Sequence, residues 1–122
     1  MKLWIILGAF NGFLAVALGA IGAHAVKGDA DMAATFDTAN KYHMWHALAL
    51  VLVGLAAPYL PAWGTLTAGI CLTLGMILFC GTLYVLGTSG ARPPFPVAPI
   101  GGVLMMIGWL TLAAGAWIGN GS

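Results

Sequence analysis

The sequence predicts an all-α integral membrane protein, a four-helix bundle with short loops, and three observations predict it. Apolar residues make up 61% of the 122 residues and charged residues only 6%, whereas a soluble domain carries roughly a quarter charged residues. Four apolar stretches without a charge run at about 3–23, 43–60, 64–87 and 100–118, each close to the ~20 residues that a helix needs to cross a ~30 Å hydrocarbon core. The alternating ten-residue pattern of a barrel strand does not occur, so the backbone groups must be satisfied within helices. The length allows one domain, and a net charge of +1 excludes partners held by bulk charge, nucleic acid among them.

Each element has its own signals. Lys2, the first apolar run and the small residues around His24 mimic a secretory signal, but the run exceeds the roughly 7–15 residues of such a signal and reads as a true span. The polar segment 26–42 follows. Asp31 could cap a short interfacial helix there with Met32, Phe36 and Ala39 on one face, and a solvated loop is the alternative. Pro58 and Pro61 end the second span. The run from Thr88 to Pro99 holds Pro93, Pro94, Pro96 and Pro99 and is expected to break the chain between the third and fourth spans, because proline lacks an amide donor and clashes with the preceding turn.

Alternating the spans sorts the aromatic residues into two interfacial belts, Trp4, Tyr59, Trp63 and Trp117 beside the termini and Tyr42, Trp45 and Tyr84 opposite. Trp109 falls mid-span, where its indole N–H needs a partner inside the bundle. Lys27, Lys41 and Arg92 lie in the first and third loops against Lys2 on the other face. That bias expects both termini outside. Cys71 and Cys80 lie about 180° apart on one helix and read as buried thiols that cannot join each other.

In lipid, helices meet through small residues. Gly8, Gly12, Ala15, Gly19 and Gly22 form a stripe on the first span, Gly54 belongs to one on the second, and Gly101, Gly108 and Gly115 repeat on the last. These are expected to be packing faces. Asn11 sits beside the first stripe and should bond to a neighbouring helix backbone; the sharper alternative is a place on an ion or substrate pathway, but no carboxylate or cation accompanies it at depth.

His24 closes the first span while His43 and His46 open the second, which places three imidazoles near the charged face. His43 and His46, three residues apart, share a helix side, a spacing that lets two rings approach one metal with Asp29, Asp31 or Asp37 supplying oxygen. Convergence with His24 requires the first helix to end before it. Hydrogen bonding, capping or core packing is the structural alternative, and a pH-responsive pair is another. No phosphate loop, GxSxG, HExxH, CxxC or paired carboxylate at depth occurs, so no catalytic residue is assigned.

GAIGAHAV at 19–26, YHMWHALAL at 42–50, GMILFCGTLYVL at 75–86 and APIGGVLMMIGWLTLA at 98–113 resemble, in order, the signatures of the YgdD/YwdK family of small membrane proteins, a domain-of-unknown-function family with a eukaryotic transmembrane branch. The resemblance implies a four-helix inner-membrane protein without an assigned activity. Positions that match its pattern are Gly19, Gly22, Ala23, His24, Tyr42, His46, Ala47, Pro99, Gly101, Gly102, Gly108 and Trp109. The position of His43 usually carries another polar residue in the family, which makes His24 with His46 the better metal pair.

The reading that follows is a non-enzymatic structural, assembly or self-associating membrane component. It would act among membrane lipids as a homo-oligomer or with a membrane-protein partner, without a required cofactor. The alternative is a binding or transport element in which His24, His43, His46, Tyr84 and Arg92 form a polar cup at the cytoplasmic face for metal, haem, quinone or lipid headgroup. An enzyme acting on lipid ranks third.

Overall fold

The computed structural model describes residues 2–25, 30–91 and 96–119, with side chains from residue 23 to 25 excepted. Four helices follow one another: α1 (Lys2–Ala25), α2 (Ala30–Ala56), α3 (Ala62–Ser89) and α4 (Val97–Ile118), with a short 3₁₀ turn at Ala57–Tyr59. Three of them, α1 over Lys2–Gly22, α3 and α4, are long and apolar enough to cross a membrane. α2 carries Asn40, Lys41, His43 and His46 in its length and falls short of that measure.

Three boundaries differ from the sequence expectation. The polar segment from residue 30 onward is neither a separate interfacial helix nor a loop but the first half of α2. Ala30, Ala33, Ala34 and Ala39 favour helix, Asp31 in the first turn complements the helix dipole, and neither Gly nor Pro interrupts the chain before Gly54. Phe36 and Ala39 are buried, so this half packs into the bundle. α4 begins at Val97, ahead of the expected residue 100, with Pro99 inside its first turn. A first-turn proline is tolerated because its missing N–H would have no intrahelical partner anyway. α3 ends two residues later than expected, at Ser89, where Gly90 takes φ 75° and donates its amide to Leu86 O at 3.0 Å. Only glycine adopts that left-handed conformation without cost.

α2 and α3 form the middle pair, with α1 packed on α2 and α4 on α3. Their shared core is Ala49, Leu50 and Val53 against Ala68, Leu72, Met76 and Cys80. Backbone approach is closest where glycine removes the Cβ. One added at Gly8 would stand 2.6 Å from Ala47 O, one at Gly75 2.7 Å from Gly101 O, one at Gly101 2.5 Å from Phe79 N, and one at Gly108 2.7 Å from the Leu72 side chain. At Gly22 it would overlap the Phe36 ring, and at Gly115 it would meet Leu60 at 3.3 Å. Gly54 is buried in α2.

Gly12 departs from the expected stripe, since nothing lies within 4 Å of an added Cβ. The reason is angular: a stripe spaced by fours and threes drifts around a straight helix, and Gly12 falls beside the α1–α2 contact. Trp4 and Tyr84 depart from the interfacial belts. Trp4 is 4% exposed and its ring covers Gly69, while Tyr84 joins the interior network described below. Trp45, Tyr59, Trp63 and Trp117 are exposed as belts require.

Gly101→Leu is therefore expected to lower stability by about 1–3 kcal/mol through overpacking, and Gly12→Leu to change it by no more than about 0.5 kcal/mol. Thermal unfolding of the two variants in one detergent checks the contrast, and equal losses would contradict it.

Candidate functional site

Asn40, His43 and His46 of α2 face into the bundle and form two separate sets. Asn40 and His43 look toward α1 and α3. Asn40 Nδ2 donates to Ala15 O at 2.7 Å and to the Tyr84 hydroxyl at 3.2 Å; the hydroxyl lies 2.9 Å from His43 Nδ1, and His43 Nε2 lies 3.0 Å from Asn11 Oδ1. Asn11 Nδ2 donates to Leu7 O at 2.8 Å. Carbonyls only accept, so Leu7 O and Ala15 O fix which end of each asparagine is the amide nitrogen. Asn11 Oδ1 must then receive a proton from His43 Nε2, His43 Nδ1 must accept from Tyr84, and the Tyr84 oxygen accepts from Asn40. One order of donors and acceptors satisfies the whole chain, with His43 neutral.

Backbone geometry prepares this set. Gly19 stands one turn beyond Ala15, and a Cβ there would lie 2.8 Å from Asn40 Oδ1. Its absence opens the Ala15 carbonyl to a side chain of the neighbouring helix. Phe36, edge-on to Tyr84 at 5.1 Å between ring centres, closes the set from above.

His46 looks the other way. Its Nδ1 lies 2.8 Å from Tyr42 O one turn back, and its Nε2 receives the indole N–H of Trp109 on α4 at 3.1 Å. The carbonyl requires a proton on Nδ1 and the indole requires a lone pair on Nε2, so His46 is neutral in the opposite tautomer from His43. Tyr42 and His46 stack with 7° between their planes at 5.9 Å, and Phe79 leans on Tyr42 at 4.9 Å. A groove of about 540 Å³ lies beside them, lined by Tyr42, His46, Phe79, Gly102, Met105 and Trp109 among others. A smaller one of about 190 Å³ runs between α1 and α3 over Asn11, His43 and Tyr84.

Of the expected cup, the fold brings His43 and Tyr84 together and sends His46 to the α4 side. The three-residue spacing does not bring the rings onto one point, since each has both nitrogens engaged by different helices. The side chain of His24 and the whole of Arg92 lie outside the described residues. Among the described residues, no group of three His, Cys, Asp or Glu stands close enough to hold a metal ion. Asn11 bonds to its own helix backbone and to a side chain of α2, not to a neighbouring backbone. Sequence reasoning missed Asn40, although its place three residues before His43 on the same face could have marked it.

Comparison with known proteins adds the family. The model of a protein family of unknown function, DUF423, matches residues 18–102. The chain belongs to the DUF423 family. A UPF0382 membrane protein of Bacillus subtilis, YwdK, is 40% identical over 119 residues, covering 95% of this chain and 97% of the relative. One from Staphylococcus epidermidis is 40% identical over 119 residues, covering 92% and 93%. One from Haemophilus influenzae is 35% identical over 116 residues, covering 93% of each. No solved structure matches the chain. The DUF423 match spans Gly19, Asn40, His43, His46 and Tyr84, while Asn11 and Trp109 lie outside it.

Tyr84→Phe removes the donor to His43 and the acceptor of Asn40, and is expected to cost about 0.5–2 kcal/mol, the scale of hydrogen bonds between membrane helices. Gly19→Ala, which drives Asn40 off Ala15 O, should cost at least as much. Unfolding measurements that find both variants as stable as the wild type would show that the network is idle.

Proposed function

We propose that this protein is a non-enzymatic integral membrane component that acts by assembly, through self-association or with another membrane protein. The supporting observation is the closed donor–acceptor order of the interior: Asn11, Asn40, His43, His46, Tyr84 and Trp109 use one another and the backbone, which leaves none of them poised as a base or nucleophile in this state. The outward surface of α1 is apolar, with Ile6, Phe10, Phe13 and Val16 exposed, and Gly12 offers an unfilled notch beside them. The family membership supports an inner-membrane location, and the Lys and Arg bias supports both termini outside. Tags cleaved by protease added to intact spheroplasts would agree with that orientation, and tags reached only after the spheroplasts are lysed would oppose it.

A second reading is a binding role, favoured by the groove of about 540 Å³ beside His46 and Trp109, a volume within the roughly 300–1,000 Å³ of small-molecule sites.

Native mass spectrometry of gently extracted protein tests the assembly reading. A defined oligomer or a foreign subunit is expected, and Gly12→Leu should release a self-associated form without lowering the unfolding temperature of the monomer. A monomer without partners contradicts the assembly reading.

A further inference from the structure

The groove between α2 and α4 has a chemistry more specific than its size. Four of its ten lining residues carry flat conjugated rings, Tyr42, His46, Phe79 and Trp109; Tyr42 and His46 lie parallel with 7° between planes, and Trp109 stands edge-on to His46 at 5.9 Å. An aliphatic chain gains nothing special from such walls, whereas a conjugated ring meets faces against which it can stack. None of the lining residues carries a carboxylate, ammonium or guanidinium group, so an ionic headgroup would go unpaired there. Besides the Tyr42 hydroxyl, the polar side-chain groups of its lining residues are one donor and one acceptor paired with each other, Trp109 Nε1–H and His46 Nε2, 3.1 Å apart. His46 cannot exchange their roles, because its Nδ1 proton is held by Tyr42 O at 2.8 Å. Trp109 is 42% exposed, so the indole has room to turn and release that pairing.

We propose that this groove binds an uncharged, membrane-dissolved molecule with a flat conjugated ring bearing oxygen at its edge, the quinone and quinol class. The inference rests on the binding reading above. A quinone carbonyl accepts a hydrogen bond from the indole N–H of Trp109, and a quinol hydroxyl donates one to Nε2 of His46. Each form thus finds one complementary partner, and Met105 and Phe79 supply apolar contact for the remainder of the ring. Binding alone is proposed, without electron transfer.

Gly102 gives the means to test it. It lines the groove, and the nearest atom to an added Cβ is Phe79 Cδ1 at 3.9 Å, an ordinary contact, so Gly102→Phe fills the space without forcing the helices apart. The full chain in lipid nanodiscs is photolabelled with an azido derivative of a short-tailed benzoquinone, with decylubiquinone or dodecanol as competitor. The expected result is saturable labelling mapped to α2 and α4 around Tyr42 and Trp109. Decylubiquinone should displace it and dodecanol should not, and Gly102→Phe should reduce it at least tenfold at unchanged unfolding temperature. If Gly102→Phe misfolds, Trp109→Phe replaces it, with labelling weakened about three- to tenfold for the quinone. Equal displacement by dodecanol would show an acyl-chain groove, ending the quinone proposal while keeping a binding role. Labelling that is unsaturable and spread over lipid-facing residues would overturn both.

Discussion

A bilayer interior offers no water, so a polar group placed there must find its partner in the protein. α2 brings Asn40, His43 and His46 to that condition, and the rest of the architecture answers it. Asn11 and the Ala15 carbonyl of α1, Tyr84 of α3 and Trp109 of α4 each supply the complement that one of these side chains requires. α2 therefore sits beside α3 in the middle of the fold, between helices that are themselves apolar enough to span. Three residues separate His43 from His46, which turns one ring to the α1–α3 side and the other to the α4 side. The helix least suited to lipid becomes the one that ties the other three together.

Close backbone approach makes these bonds reachable. At Gly8 and Gly19 of α1 and at Gly75, Gly101 and Gly108 of the α3–α4 pair, backbone or side-chain atoms of the neighbouring helix stand within 3 Å of where a Cβ would be. Packing of this kind is contact energy gained over short distances, and it brings asparagine and histidine side chains within hydrogen-bond reach of the neighbouring helix. Where a gap persists, between α2 and α4, a groove remains with the His46–Trp109 pair at its floor. The surfaces proposed for assembly and for ligand binding are thus different, the outer face of α1 and the α2–α4 groove.

Much of this was legible from residue type and spacing. Length and apolarity marked α1, α3 and α4 to within a few residues. The mid-span place of Trp109 implied an interior partner, and Asn11 beside the glycine stripe implied a protein-facing amide. The identity of those partners was not legible, because His46 and Trp109 are 63 residues apart and only the packing of four helices sets their register. The same holds for Asn40, whose acceptor is a main-chain carbonyl exposed by the glycine one turn on. Trp4 was misplaced for another reason. Interfacial preference is a property of the free indole, and the space above Gly69 offers its apolar body more burial, even though its Nε1 has no hydrogen-bond partner there. The continuity of α2 was masked by its charges, since Asp37 and Lys41 lie on its outer face and pair with each other at 2.9 Å.

The interior order depends on two neutral imidazoles held in opposite tautomers by helices on either side of α2. Nitrogen-15 NMR of the histidine rings in bilayers at neutral pH, assigned with His43→Gln and His46→Gln, reads this directly. The expected result is a protonated Nε2 with a bare Nδ1 for His43, and a protonated Nδ1 with a bare Nε2 for His46. The same tautomer at both positions, or an imidazolium at either, would contradict the donor–acceptor order on which the structure is argued to rest.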